Sequence, residues 1–461
     1  MAPDATYDPS GEWRLLGQRL AGYRKAAGYT QRALAAHDRI HYGRSTIANV
    51  EIGRQSIGRA FWESCDAVLG TGGALADDYD HIARFIRRHR IAEIKTAGPG
   101  PDSAPLATES DQDNTMGVLR RTVLLALAAA GGTAFGSGLP DPADSRTVRA
   151  RPPADVDHWE ETVWEYGYSF LTTPHETLLT DLCLDQATVR RQLSVELGAG
   201  TSAALPLAAV AAQLTALMAY CSTNLGFTRE AGHLWRFARK YADISQDDKI
   251  RPWVSGHEIM SGIYQERPLD VLAALADRAT AECRSSAPSA GKAELLGSQA
   301  EVLSLLGRDR DAQDALEALA ETYENLPGSV TGLRDSFFGW PEHRMHHARS
   351  FTSSMTGHTT DAFSAQKTAL KLYPTTKQVS RCQINLHHAR CLVLNGEISE
   401  GLRHAGDALD GVDLATWKVF VLAVADRITD AVPRGERRRA DVREFGDLVR
   451  RYRSGGRQVL T

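Results

Sequence analysis

Between residues 156 and 455 the chain repeats a helix-sized unit that closes on a small residue or a helix breaker. The closings read TNLG at 223–226, SLLG at 304–307, SMTG at 354–357 and LVLNG at 392–396. They are spaced by 81, 50 and 39 residues, and the first interval is about twice 40, with a degenerate unit near Tyr264 inside it. Behind each closing, a second helix carries alanine at close-packing positions: Ala231 and Ala238, Ala312 and Ala315, Ala362 and Ala369, Ala405 and Ala408. HHAR stands at 346–349 and again at 387–390, 41 residues later. A pair of helices cannot bury its apolar faces alone, so pairs repeated at a steady period must stack on one another. The pattern predicts an all-α chain whose larger part is an α-solenoid.

Helix pairs at this period, with alanine where helices cross, indicate a solenoid of tetratricopeptide type. A unit near 40 residues exceeds the usual length of about 34, so the repeats are divergent. Stacked pairs curve and leave a concave face, which suits a peptide, a protein partner or a small molecule.

Three regions follow along the 461 residues. Residues 11–95 read as a compact helical head. Residues 96–155 are rich in Pro, Gly, Ala and Asp and read as a linker with an apolar helix at about 118–130. Residues 156–455 form the repeat region. The apolar insert RRTVLLALAAAGGTAFGSGLP at 120–140 resembles a twin-arginine export signal or membrane anchor, but it lies behind a folded head. Only a dozen or so of its residues precede Gly131-Gly132, short of the roughly 20 that a spanning helix needs. It is expected to dock on a neighbouring domain or partner, with no membrane involved. The start, MAPDATYDPSGEW, lacks the basic and apolar runs of a signal peptide. Six scattered cysteines with no CxxC pair suit reduced thiols in a cytoplasmic protein.

The formal net charge is −4, which by itself gives no sign of a nucleic-acid binder. The head departs from that balance. Residues 11–60 carry nine basic side chains (Arg14, Arg19, Arg24, Lys25, Arg32, Arg39, Arg44, Arg54, Arg59) against three acidic ones (Glu12, Asp38, Glu51). An excess of that kind is what a phosphate backbone attracts.

Within the head, RKAAGYTQRALAAHDRIHYGRSTIANVEIG at 24–53 holds two short apolar-patterned segments joined by a turn. On a wheel of 100° per residue, Ile47 and Val50 fall together at about 300° and 240° when Arg44 is set at zero. Arg44, Ser45, Ala48 and Asn49 occupy about 0–140° on the other side. One flank therefore packs, and the other offers a guanidinium fork, a hydroxyl, a methyl and an amide. Those groups suit guanine O6/N7, adenine N6/N7 and the thymine methyl in the major groove.

This stretch resembles the Cro/λ-repressor-type (xenobiotic-response-element) helix-turn-helix regulators. The resemblance rests on Arg24, Gly28, Thr30-Gln31, Leu34-Ala35, Ile47, Val50, Glu51 and Gly53. It implies a structural pair between Arg24 and Glu51, a phosphate contact from Gln31, and base reading by Arg44, Ser45 and Asn49. Thr46, Ala48 and Arg54 complete the expected DNA-contacting set. Two departures stand out: the stretch from Ala35 to Ile47 is two residues longer than usual, and His41 replaces the glycine of the tight turn. FWESCDAVLGTGGALADDYD at 61–80 and RDSFFGWPEHRMHHAR at 334–349 are similar to large actinobacterial regulators in which a tetratricopeptide-like region follows the head. In architecture alone, the chain also resembles the peptide-sensing regulators of Gram-positive bacteria.

Other candidates are weaker. His346, His347, His387 and His388 with Cys382 and Cys391 suggest a metal cluster, yet duplication of HHAR is better explained by histidines at contacts between repeats. No metal site and no cofactor is expected. Gly-x-Ser-x-Gly, a phosphate loop and His-Glu-x-x-His are all missing, and GTGG at 70–73 joins helices rather than following a strand, so catalysis is not expected. Trp253, Trp340 and Trp417 suit packing better than a ligand groove. Arg87-Arg88-His89-Arg90 adjoins the head, where it can add phosphate contacts; Arg437-Arg438-Arg439 suits a solvated face. The expectation is a cytoplasmic, nucleoid-associated, sequence-specific transcriptional regulator acting as a homodimer on double-stranded DNA. Its five-helix head reads DNA, and its repeat region dimerises, senses a peptide or small-molecule signal, or does both. The alternative is a helical-repeat scaffold whose head is vestigial and binds DNA without specificity.

Overall fold

The structure is a computed structural model that describes residues 10–40, 42–53, 59–79, 82, 120, 123, 155–171, 173–375, 377–412 and 418–454. Among these the chain is helical, with no strand. It divides into two compact units. The first contains the described residues up to 82 together with 165–171; the second contains 120, 123, 155–164 and 173–454. Helix α5 (Val156–Ser169) belongs partly to each. Of the apolar segment expected at 118–130, only Arg120 and Val123 lie within the described residues: Arg120 Nε donates to the buried carboxylate of Glu230 at 2.9 Å, and Val123 is fully buried.

The first unit contains α1 (Ser10–Ala26), α2 (Gln31–Ala35), α3 (Arg44–Glu51), α4 (Arg59–Leu69) and a helical stretch at 74–79. Its core gathers Leu16 and Leu20 from α1, Leu34 from α2, Ile47 and Val50 from α3, and Phe61, Trp62 and Cys65 from α4. Each of these aliphatic or aromatic side chains contributes on the order of 1.5–3 kcal/mol by leaving water, which is how helices this short persist. Gly28, at φ 76°, ends α1 and lets Tyr29 N–H reach back to the Arg24 carbonyl at 3.0 Å. Thr30 caps α2, its hydroxyl accepting from Ala33 N–H at 3.0 Å.

The second unit is a succession of helix pairs. After α6 (His175–Ala199) come α7 (Ala204–Asn224) with α8 (Thr228–Ser245), α9 (Ile250–Tyr264) with α10 (Leu269–Glu282), and α11 (Ala290–Leu305) with α12 (Asp309–Glu324). A short helix, α13 (Gly328–Thr331), interrupts the series. It resumes with α14 (Glu342–Thr356) and α15 (Thr359–Leu372), α16 (Gln378–Leu394) and α17 (Ile398–Asp410), and α18 (Lys418–Ala431) and α19 (Ala440–Ser454). The closing motifs turn the corner inside the pairs. Gly226, Gly307, Gly357 and Gly396 all have positive φ, between 71° and 90°. After α7, α11 and α16 the glycine N–H and the next N–H bond back to the last helical carbonyls, as at Gly226 to Thr223 (3.0 Å) and Phe227 to Ser222 (2.8 Å). The degenerate unit near Tyr264 makes the same turn with Glu266, at φ 55°, in place of glycine.

Alanines at the crossings are buried: Ala231, Ala238, Ala312, Ala362, Ala369 and Ala405 have no exposed surface, which lets paired helices approach closely. The first helices of successive pairs pack side by side, and α18 returns against α7 and α9. Phe420 of α18 stacks on Tyr220 at 5.8 Å and meets Tyr264 at 4.7 Å between ring centroids. Helix α18 therefore meets the first helices of the unit's first two pairs through Phe420. One helix among the described residues, α7, is long and apolar enough to cross a membrane, and 78% of its apolar window is buried inside the unit as a core helix.

Candidate nucleic-acid interface

Helix α3 separates its two flanks as the wheel predicts. Ile47 and Val50 are buried to within 1%, while Arg44 and Asn49 are exposed. Ala48 is half-buried, and so is Thr46, which lies only about 40° from Val50 around the helix. Ser45 is helical, but its side chain, like all of His41 and Arg54, lies outside the described residues. Gly43 precedes the helix with no side-chain cap, so the first-turn N–H groups of α3 have no side-chain acceptor from that position.

Three elements are tied together by Arg24. Its Nε donates to Glu51 Oε1 at 2.5 Å and its Nη2 to Glu51 Oε2 at 2.9 Å, while Nη1 donates to the Tyr29 carbonyl at 2.7 Å. Both partners are buried, at 6% and 7% exposure. The hydrogen bond to Glu51 raises the guanidinium's pKa against the opposing effect of burial. A two-pronged fork of this kind fixes direction as well as distance, so the end of α3 is held against the end of α1. Gln31 joins the pair, its Nε2 donating to Glu51 Oε2 at 2.8 Å. The amide nitrogen has two hydrogens, so one remains for an acceptor such as a phosphate oxygen.

Two positions that fix this arrangement escaped the sequence reading. Gly17, inside α1, lies under α3, where a Cβ would stand 2.0 Å from the Val50 carbonyl oxygen. A glycine in a helix interior, where alanine is favoured, was the available signal. Asp66 is the other. Its Oδ1 accepts from Leu75 N–H at 3.0 Å and from the Thr71 hydroxyl, and its Oδ2 accepts from Ala76 N–H at 2.9 Å. It caps the stretch at 74–79, with the GTGG run as the connector between helices.

The turn between α2 and α3 runs from residue 36 to 43, longer than the three or four residues of a compact helix-turn-helix. Ile40, buried in the core, anchors its middle, with its N–H on the His37 carbonyl at 2.8 Å. The extra residues are thus accommodated without displacing Ile47 and Val50 from the core.

The histidines lie between repeats. His387 Nδ1 is 2.9 Å from the Ser350 hydroxyl, His347 and His387 rings are 5.4 Å apart, and His388 Nδ1 is 2.9 Å from Gln366 Oε1. Among the described residues no group of three or more His, Cys, Asp or Glu side chains is placed to hold a metal ion. All six cysteines are buried free thiols, and burial pushes the pKa of each upward. Trp253 and Trp340 are buried; Trp417 and the run at 87–90 lie outside the described residues.

Residues 15–78 match the family model of a helix-turn-helix domain. No curated protein and no solved structure matches the chain. The first unit therefore carries a helix-turn-helix DNA-binding module, followed by an all-helical region.

Proposed function

We propose that the protein is a sequence-specific transcriptional regulator, with α3 entering the major groove. The observation that carries this reading is the exposure of Arg44 and Asn49 on a helix whose opposite flank is fixed in the core. Arg44 reads guanine and Asn49 adenine, with Ser45 and Ala48 beside them, while Gln31, Thr46 and Arg54 contact the backbone or flanking edges. The Arg24–Glu51 pair supports the helix without touching DNA. Because one small head covers a single half-site, a homodimer with two heads about one helical turn apart supplies the needed area and symmetry. The helical region then serves dimerisation, signal sensing or both, on a tetratricopeptide-like plan, in the cytoplasm at the nucleoid. No catalytic role is assigned to it.

Genome-wide capture of DNA on the purified protein tests this directly. Enrichment of one palindromic sequence is the expected result. Uniform, salt-labile retention of all sequences would instead favour a scaffold with a vestigial head.

A further inference from the structure

The enlarged turn between α2 and α3 presents an arginine that no carboxylate claims. Between Arg24 and Glu51 the sequence has four cationic side chains, Lys25, Arg32, Arg39 and Arg44, and one carboxylate, Asp38. The three arginines of this set are exposed: Arg32 on α2, Arg39 in the turn and Arg44 at the start of α3. Two other guanidinium groups of the head are committed, Arg19 to Asp78 and Arg24 to Glu51. Arg32 and Arg39 have neither an ion pair nor a side-chain hydrogen bond among the described residues.

Arg39 is also held in place. Its N–H donates to His37 Nδ1 at 3.3 Å, and the next N–H, of Ile40, donates to the His37 carbonyl at 2.8 Å. Ile40 is buried in the core, the His37 ring lies edge-on to Tyr29 at 6.4 Å between centroids, and Tyr42 meets Phe61 at 5.1 Å. With Ile40 turned inward, Arg39 stands on the outside of a turn pinned on both sides. A side chain on a fixed backbone loses less freedom on docking than one on a loose loop. Its five donors are all open to an incoming acceptor.

The place of the turn matters as much. Gly43 leads straight from it into α3. Arg39 stands five residues before Arg44, so their Cα atoms are at most about 19 Å apart. The major groove is about 12 Å wide and bordered by phosphates on both sides, so the turn that feeds a helix seated there comes within reach of one rim. Asp38, the exposed neighbour of Arg39 in sequence, offsets its charge at long range, so Arg39 works by contact.

We infer that the enlarged turn is a backbone clamp, in which Arg39, together with Arg32 from α2, contacts phosphates at the edge of the groove that α3 occupies. These contacts carry no sequence information; they fix the register and add affinity common to all duplexes. The clamp rests on α3 facing DNA, as proposed above, and not on which bases α3 reads.

Fluorescence-anisotropy titrations of the full chain on a mixed-sequence duplex, at salt from about 0.05 to 0.2 M, test the clamp. Arg39→Gln and Arg32→Gln are each expected to flatten the slope of log K against log salt by about 0.9, and to weaken binding about five- to tenfold near 0.1 M salt. Arg39→Lys, which keeps the charge, retains most of the slope. Arg19→Gln removes the same charge from a group already committed to Asp78 and leaves the slope unchanged. On the captured operator the same losses appear, with sequence preference unaltered. An unchanged slope in either glutamine variant of the clamp, an equal fall in Arg19→Gln, or a loss confined to the operator overturns the clamp while base reading by α3 stands. Failure of the wild type to bind any duplex overturns both.

Discussion

Gly17 of α1 and Val50 of α3 meet so closely that a single added carbon would collide with a carbonyl: the Cβ position lies 2.0 Å from the Val50 oxygen. Gly17→Ala must push α3 away from α1 and strain the Arg24–Glu51 fork. The expected cost is on the order of 2–3 kcal/mol, the upper part of the range for overpacking. Gly22→Ala, also in α1 but with nothing within 4 Å, should be neutral or stabilising by about 0.5–1 kcal/mol. Amide exchange in α3 checks the pair; equal protection in both variants would contradict the close approach.

Removing one partner of the buried fork leaves the other charged and dry. Arg24→Met is predicted to destabilise the first unit by about 3–5 kcal/mol, and Arg24→Met combined with Glu51→Leu by less than that. Thermal melts of the single and double variants, arranged as a cycle, measure the difference. Identical melting temperatures for wild type and Arg24→Met would refute a structural role for the pair.

The exposed flank of α3 predicts the reverse separation. Arg44→Ala and Asn49→Ala should each weaken operator binding by about 1–3 kcal/mol while leaving the melting temperature unchanged, because neither side chain packs in the core. Electrophoretic titration on the captured operator reads the effect. Unaltered affinity in both variants would remove α3 as the reading helix.

Glu266 holds a conformation that its counterparts assign to glycine. Glu266→Gly should stabilise the second unit by up to about 1 kcal/mol, and Gly396→Ala should destabilise it by about 1–2 kcal/mol, through backbone strain alone since its Cβ would meet nothing. Denaturant unfolding of the two variants gives the opposite signs, or the shared turn is wrongly described.

Stability should also depend on pH through Glu301. Its folded-state pKa is raised to about 8 by burial and by Glu294, above that of the unfolded chain. The stabilisation is complete below the unfolded value and is lost as pH rises through about 8. Glu301→Gln cannot ionise, so its melting temperature should match wild type near pH 4 and exceed it increasingly toward pH 9. Glu294 has the opposite sign: Arg344 and His257 hold its pKa down to about 2 despite burial, so its contribution is present above the unfolded value and fades as acid approaches about 2. Calorimetric melts across this range check both slopes.

Periodic positions were legible because their neighbours are local. Ile47 and Val50 face inward, Thr30 caps, and Gly226, Gly307, Gly357 and Gly396 end helices through interactions spanning a few residues, so spacing and residue type suffice to place them. HHAR marked contacts between repeats for the same reason: a duplicated unit repeats its neighbours with its residues. Tertiary structure alone decided the rest. No local pattern says that Gly17 must clear Val50, that Gln31 turns to Glu51 twenty residues on, or that Phe420 returns across some 200 residues to cover Tyr220. Nor does spacing reveal that Glu294 Oε2 finds two donors, Trp340 and Arg344, while Glu301, two turns along the same face, finds none at Oε2. Those outcomes depend on which distant side chain arrives at each polar atom, and helical periodicity carries no information about that.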